Sequence, residues 1–374
     1  MAYEVGQTLD LNIERLSFNG GRGVARHEGF VFFVPFVLPG ESIKAKITKI
    51  KKRYGEAELI EVVKPSPERQ VGPCILFGEC GGCTWQHIPY EKQLVYKKDL
   101  LLDMFSGLIN DDKILDPTPS PRAFYYRNRI QLHRDQNNQW GFKKRGTDHV
   151  LPIESCPITD ARINLEIPKL TRIVPANEKR IEIYVDPSNQ VNRRFGKHTK
   201  FEGQFSQVNS EVNKILNEAV YEIVDRNRPR RLYDLYCGQG NFILYLADTF
   251  TQCEFIGVEL SKKNLDFAIE GAEGSPNAQF LQADVAQYLR DSAQFQPDDL
   301  IILDPPRSGL TPEALSALIE ANPHQVIYIS CDPMTLKRDL AALLENGLKV
   351  ETLRPIDMFP QTDHIETITY LIRQ

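Results

Sequence analysis

The chain has no apolar run of membrane length. Its most apolar early stretch, FVFFVPFVLPG at 30–40, is too short to span a bilayer and contains Pro35, so it reads as a strand and a turn. The start, MAYEVGQTLD, carries acids and no basic-then-apolar pattern, so no secretory signal is read there. An excess of positive charge is also missing: 45 Lys and Arg stand against 50 Asp and Glu, a formal net charge of −5. A nucleic-acid partner would have to be held by local basic patches, not by the field of the whole molecule. The seven cysteines are odd in number and unevenly spread. That argues against a secreted disulfide framework and for thiol chemistry or metal binding in a reducing cytoplasm. No internal repeat is present.

What remains is a globular composition, 41% hydrophobic and 25% charged, in a chain of 374 residues, too long for one ordinary core. Residues 1–64 alternate apolar and polar side chains and are broken by the turn NGGRG. Ile43, Ala45 and Ile47 share one face and Lys44, Lys46 and Lys49 stand exposed, which predicts a small β-barrel with a lysine-rich edge. KPSPERQVGP (64–73) reads as a linker by its prolines. A central region, 65–200, holds a cysteine cluster, a helical stretch at 89–108 and several β segments. From 201 to 374 short apolar strands alternate with helices, the rhythm of a doubly wound parallel sheet of Rossmann-like α/β type. Ligands of such sheets sit outside the carboxyl ends of the strands.

The unusual residues of this last part fall at those ends. DLYCGQGNF (234–242) follows a strand and opens a helix, and Gly238 and Gly240 allow a sharp turn and close approach to a ligand. Glu259 ends the next strand about 20 residues on, where an acid accepts hydrogen bonds from ribose hydroxyls. Asp284 ends the third, placed to meet an adenine edge. Both acids also suit plain helix capping. The loop carrying Asn241 does not match the phosphate-cradling dinucleotide pattern, which favours S-adenosylmethionine over NAD. The fourth strand ends in DPPRSG (304–309), whose prolines fix where Asp304 and Arg307 point. The fifth ends at Cys331. A lone cysteine is ordinarily a small buried hydrophobe, but a strand-end thiol before a helix start is placed where thiolate is favoured. DHIETITYL (363–371) offers His364 and Glu366 as candidate bases.

Cys74, Cys80 and Cys83 have five and then two residues between them, and Cys156 is a plausible fourth ligand brought near by folding. Four thiolates suit zinc or a 4Fe-4S cluster; the unequal spacing favours the latter. Cys237 and Cys253 read as packing residues. Arg122, Arg127, Arg129 and Arg134, with Tyr125, Tyr126 and His133, interleave phosphate-binding and base-stacking groups, and Lys143, Lys144 and Arg145 add a second cluster.

Taken together the motifs resemble the RNA uracil-5 methyltransferase family. The resemblance rests on FSQVN (205–209), DLYCGQGNF, DPPRSG, SCDPMTLKRDL (330–340) and HIET (364–367), in that order. The N-terminal half resembles the branch with a TRAM-type barrel, CILFGECGGC (74–83) and SCP (155–157), which methylates ribosomal RNA uridine and carries an iron–sulfur cluster. The resemblance implies Cys331 as the nucleophile on uracil C6, Glu366 as the acceptor of the C5 proton and Arg307 in support. It implies S-adenosylmethionine binding by Gln207, Tyr236, Gly238, Asn241, Glu259, Asp284 and Asp304, and a 4Fe-4S cluster on Cys74, Cys80, Cys83 and Cys156. The implied partner is RNA, 23S ribosomal RNA first and transfer RNA second, for a cytoplasmic monomer. A non-catalytic iron–sulfur RNA-binding protein is the reading from another class; the presence of both Cys331 and Glu366 argues against it. Two departures stand out. Asp332 follows the nucleophile where the family usually has Asn, and Tyr236 replaces a Phe found in some members.

Overall fold

The computed structural model describes residues 3–18, 20–186, 188–195 and 207–373. Phe205 and Ser206 of FSQVN lie outside the described residues. Backbone contacts sort the chain into two units: Met1–Leu100 with Arg122–Lys197 and Phe359–His364, and Leu101–Pro121 with His198–Met358 and Ile365–Gln374.

In the first unit, β1 (Thr8–Leu16), β2 (Gly23–His27), β3 (Phe30–Val34), β4 (Ser42–Ile50) and β5 (Tyr54–Lys64) close into a barrel in the order β1-β2-β3-β5-β4. Period-two alternation builds it: Leu9, Leu11, Ile13, Ile43, Ala45 and Ile47 fill the core around Phe32, as the pattern predicts. The outward lysines do not form a free basic edge. Across the β4–β5 register Lys44 faces Glu61, Lys46 faces Glu58 and Lys49 faces Glu56, so the face is a ladder of opposite charges. The proline-marked linker is fastened as well. Arg69 Nε and Nη2 lie 2.5 and 2.8 Å from the two oxygens of Glu41, which is fully buried and also accepts the Leu38 and Ser66 amides. Burial pushes that carboxyl's pKa up, but Arg69 and the two amides outweigh it and hold it below its ordinary value.

Helix α1 (Tyr90–Phe105) matches the expected stretch. A second sheet, β6 (Arg129–Arg134), β7 (Trp140–Lys143), β8 (Val150–Pro152), β9 (Arg180–Val185) and β10 (Val191–Phe195), runs in the order β10-β9-β6-β7-β8. Ile130, Leu132, Ile181 and Ile183 pack with residues of the short helices α2 (Ala161–Asn164) and α3 (Leu170–Ile173). The segment after Cys156 is laid along the FYYRNR stretch: Tyr125 and Arg127 donate their amides to Pro157 and Ile158 carbonyls at 2.9 and 2.8 Å. The 359–364 segment is held by buried polar contacts. The Gln361 carbonyl accepts the Thr84 and Trp85 amides, both at 3.0 Å. The Gln361 and Gln93 side chains join at 3.0 Å, and Tyr126 Oη donates to the Pro360 carbonyl at 3.1 Å.

In the second unit, α4 (Ser210–Asn227) precedes β11 (Arg231–Leu235), α5 (Ile243–Leu246), β12 (Glu254–Glu259), α6 (Lys262–Gly271), β13 (Ala278–Gln282), α7 (Val285–Asp291), β14 (Leu300–Leu303), α8 (Pro312–Ala321), β15 (Gln325–Ser330), α9 (Pro333–Glu345), β16 (Leu348–Ile356) and β17 (Glu366–Arg373). The sheet order is β13-β12-β11-β14-β15-β17-β16. The first five are parallel and β17 runs antiparallel between β15 and β16. The start of β17 therefore lies at the sheet edge where the parallel strands end. No helix among the described residues is long and apolar enough to cross a membrane.

Candidate active site

The turn after β11 is built for close approach. Tyr236, Gly238 and Gly240 take positive φ (74°, 55° and 82°), and the Tyr236 and Cys237 amides both donate to the Val258 carbonyl. A Cβ on Gly240 would come within 3.1 Å of Leu244 Cγ. Glu259 is not a helix cap. Its carboxylate accepts the Gly238 amide at 3.1 Å and the Ser261 amide at 2.7 Å, tying the glycine turn to α6, which Ser261 caps. Asp284 does cap α7, accepting the Gln287 amide at 3.1 Å. Asn241 exchanges amide hydrogen bonds with Asn213 of α4 at 2.9 and 3.2 Å, so that helix fixes the loop. Gln207 is half-buried two residues before the α4 cap, Asn209.

Sequence reasoning missed Asp234. It is fully buried near the end of β11, just before this turn, and neither carboxyl oxygen has a hydrogen-bond partner among the described residues. Burial, then Asp304 and Glu259, push its pKa well up. The available signal was an acid inside an otherwise apolar strand, RLYDL.

Four predicted residues converge at the next strand ends. Ser330 pairs with Thr367 across β15 and β17, and Thr367 Oγ1 donates to the Ser330 carbonyl at 3.1 Å, which sets Cys331 and Glu366 at one edge. Burial, and then Glu366, push the Cys331 thiol up to about 11, with Asp304 adding to the rise. The Arg307 guanidinium pulls it back down. The helix start alone does not make a thiolate here, because desolvation outweighs it. Glu366 is only 4% exposed, and burial, then Asp304, push its pKa well above its ordinary value, with Arg307 pulling the other way. Asp304 is pushed by burial to about 7.

Asp332 turns out to be the N-cap of α9, its Oδ1 accepting the Met334 and Thr335 amides at 2.9 and 3.3 Å. It is not among the largest influences on the thiol. His364, the alternative base, is exposed, edge-on to Phe359, and belongs to the first unit. Cys237 and Cys253 are buried, in line with packing roles.

The cysteine loop and the basic stretch lie in the first unit. Cys74, Cys80, Cys83 and Cys156 are free and half-buried. Burial raises the first three thiols, Cys83 to about 12, and Cys156 raises each of them further, so the four lie within electrostatic reach of one another. The Cys156 backbone is fixed by Asn164 on both its amide (2.9 Å) and carbonyl (3.0 Å). Arg145 lies over the Phe36 ring, donates to the Cys83 carbonyl at 3.4 Å and stabilises negative charge on Cys80. Among the described residues, however, no three His, Cys, Asp or Glu side chains are close enough to hold a metal ion as they stand.

The expected arginine–tyrosine surface is only partly a surface. Tyr126 is buried on Pro360, Arg129 pairs with Glu182, and Arg134 spans the Val174 and Pro175 carbonyls under Trp140. These two cations stand on opposite faces of β6 and both are buried, where carbonyls, a carboxylate and aromatic faces meet them. Arg122 and Tyr125 remain exposed, Tyr125 with a positive φ of 55°.

The profile of the tRNA (Uracil-5-)-methyltransferase family matches residues 173–374, more than half of the chain, and that of the TRAM domain matches residues 3–60. An uncharacterized RNA methyltransferase of Bdellovibrio bacteriovorus is 38% identical over 98% of this chain and 95% of its own. The 23S rRNA (uracil(1939)-C(5))-methyltransferase RlmD of Shewanella amazonensis is 30% identical over 98% of this chain and 96% of its own. Among solved structures, the tRNA (uracil-54, C5)-methyltransferase of Pyrococcus abyssi, in complex with S-adenosyl-L-homocysteine, shares the fold with a TM-score of 0.76 at 22% identity, over 97% of this chain and 100% of its own.

Proposed function

The chain belongs to the tRNA (uracil-5-)-methyltransferase family, and from that premise we propose that it methylates C5 of a uridine in RNA, with S-adenosylmethionine as donor and 23S ribosomal RNA as the substrate. The single observation that carries the chemistry is the meeting of Cys331 and Glu366 at one sheet edge, produced by the antiparallel β17. The RNA assignment is supported by the 30% identity to the Shewanella enzyme over nearly its full length; a transfer RNA uridine is the second reading, on the shared fold of the Pyrococcus enzyme.

Uracil C5 is a poor nucleophile. Cys331 as thiolate forms an S–C6 bond, and the electron pair displaced to C5 makes that carbon enolate-like. S-adenosylmethionine supplies a methyl group on a positively charged sulfonium, which C5 accepts. Arg307 pairs with the thiolate before attack and is close enough to help balance charge on the base after it. Beside these positive charges Glu366, acting as the carboxylate, takes the C5 proton. The electron pair of that C–H bond restores C5=C6 and expels the Cys331 thiolate. Asp234, Asp304, Glu259, Asp284, Gly238, Asn241, Tyr236 and Gln207 line the cofactor side of the edge in this reading, with the buried acids facing a cationic donor.

We also assign Cys74, Cys80, Cys83 and Cys156 to a 4Fe-4S cluster with a structural role. The all-sulfur donor set, held in mutual electrostatic reach, fits such a group. The barrel and the exposed Arg122 and Tyr125 would engage the RNA.

The mechanism is tested with RNA containing 5-fluorouridine, whose C5 has no proton to lose. A covalent protein–RNA adduct that needs Cys331 is expected; its absence, together with no methyl transfer to any RNA, refutes the mechanism. Iron and sulfide analysis after anaerobic purification tests the cluster, and stoichiometric zinc would refute it. Mapping 5-methyluridine in total RNA of a deletion strain decides between ribosomal and transfer RNA.

A further inference from the structure

Helix α9 begins two residues after Cys331, and its first turns carry three side chains whose contacts the chemistry above does not use. Thr335, Arg338 and Asp339 stand at i, i+3 and i+4, one face of a helix. All three point at the DPPRSG loop, some 28–30 residues earlier in the chain. The single Oγ1 hydrogen of Thr335 is shared between the Arg307 and Asp332 carbonyls, each 3.1 Å away. Arg338 Nη2 donates to the Ser308 carbonyl at 3.0 Å and the Leu310 carbonyl at 2.9 Å. Asp339 Oδ2 accepts the Leu310 amide at 2.9 Å. Its side chain is fully buried and satisfied, by Tyr328 Oη at 2.6 Å on one oxygen and Arg338 Nε at 2.8 Å on the other.

The loop is shaped to receive them. Gly309 has φ 71°, and a Cβ there would sit 2.6 Å from Asp339 Oδ2, 2.7 Å from Arg338 Nη2 and 3.1 Å from Thr335 Cβ. Its amide is already used, on the Pro306 carbonyl at 2.8 Å. Three neighbouring side chains thus hold the carbonyls of residues 307, 308 and 310 and the amide of 310. The Arg307 side chain itself is left exposed, within electrostatic reach of the Cys331 sulfur.

We propose that Thr335, Arg338 and Asp339 are positioning residues that clamp the backbone of the Arg307 loop and thereby fix the guanidinium against the Cys331 thiol. One helix then does two things: its start holds the thiol in place, and its next turn holds the cation that partners the thiol. Glu366 and Asp304 are the other charged groups facing the sulfur, and neither is attached to the clamp. The inference rests on the reading of Cys331 as the nucleophile, and the test uses no methylation assay.

The full-length protein is alkylated with iodoacetate and, separately, with iodoacetamide, and the Cys331 peptide is quantified by mass spectrometry. The ratio of the two rates reports positive charge beside the sulfur and is insensitive to accessibility, because the reagents are of nearly equal size. Arg307→Ala sets the reference and should lower the ratio. Thr335→Val and Arg338→Ala should lower it in the same sense and slow iodoacetamide at pH 8 by about threefold, the equivalent of half a pKa unit. Thr335→Ser, which keeps the hydroxyl, should restore it. Thermal melts identify any variant that has lost its fold, and Arg338→Ala, at an exposed side chain, keeps the test usable if Thr335→Val has. If Arg307→Ala lowers the ratio and the clamp variants do not, the clamp is overturned and the nucleophile reading stands. If Arg307→Ala leaves the ratio unchanged, the pairing of Arg307 with Cys331 is itself overturned.

Discussion

Replacing Glu366 by Gln should separate methyl transfer from product release. The side chain is 4% exposed at the head of β17, and Gln has nearly its size and shape. Burial disfavours charge on the native carboxyl, so a neutral amide suits the site and the sheet should fold unchanged. The thiol is not penalised either. With Cys331 at about 11, roughly one molecule in a thousand carries the thiolate at pH 8, and Glu366, when ionised, only makes this worse. Attack on C6 and methyl transfer should therefore proceed. Removal of the C5 proton then lacks its acceptor, and a positioned general base contributes about 10²–10⁴-fold. The expected result is one methyl group transferred per enzyme, followed by a protein–RNA adduct that survives denaturing electrophoresis and decays at least about a hundredfold more slowly than wild-type turnover. Radiolabelled methyl donor and a rapid-quench time course read both phases. Turnover within tenfold of wild type would refute the assignment of the base. No methyl transfer and no adduct would place Glu366 before the methylation step instead.

Two further outcomes follow from the geometry. Asp304, raised to about 7, must ionise to favour a cationic sulfonium, so cofactor affinity should weaken as pH falls below about 7, approaching tenfold per unit, and level off above it; calorimetric titration from pH 5.5 to 8.5 should show this slope, flattened in Asp304→Asn, and a pH-independent affinity would refute it. For folding the same shift runs the other way: an acid with a raised folded-state pKa lowers stability as pH climbs from its unfolded value to about 7. Asp332→Ala should cost ~1 kcal/mol through loss of the α9 cap, whereas Asp332→Asn should keep the cap and change iodoacetamide labelling of Cys331 by less than about twofold, since the carboxylate is turned to the helix amides; a larger rise in labelling would show that its charge does reach the sulfur.

Much of this was legible in the chain because it is local. Alternation marked Ile43, Ala45 and Ile47 as barrel core, and strand ends marked Glu259, Asp304 and Cys331 as an edge. Asp332, weighed from the sequence only as a departure from the family, is seen as a helix cap once the structure shows its bonds to the α9 amides. What escaped is contact between distant residues. Nothing near Thr335, Arg338 and Asp339 says that their partners are the carbonyls and amide of residues 307–310. Arg129 and Arg134 look like a phosphate-binding stripe until the fold supplies Glu182, Trp140 and two carbonyls to take them inside. Asp234 offered only an acid within a mostly apolar strand; that neither of its oxygens has a hydrogen-bond partner among the described residues is visible only in the fold.

The path of the backbone through the two units has a bearing on how such a protein can be altered. The chain changes unit after residues 100, 121, 197, 358 and 364. A cut at any one of these points therefore yields no complete half. A fragment ending near residue 200 would lose Gln361, leaving the Thr84 and Trp85 amides and the buried Gln93 without their partner. A fragment starting there would carry 359–364 with nothing to receive it. Exchange of the methyltransferase half with another family would have to transplant a six-residue thread and its receptor together. Catalysis and the cysteine-bearing unit are inherited as one piece.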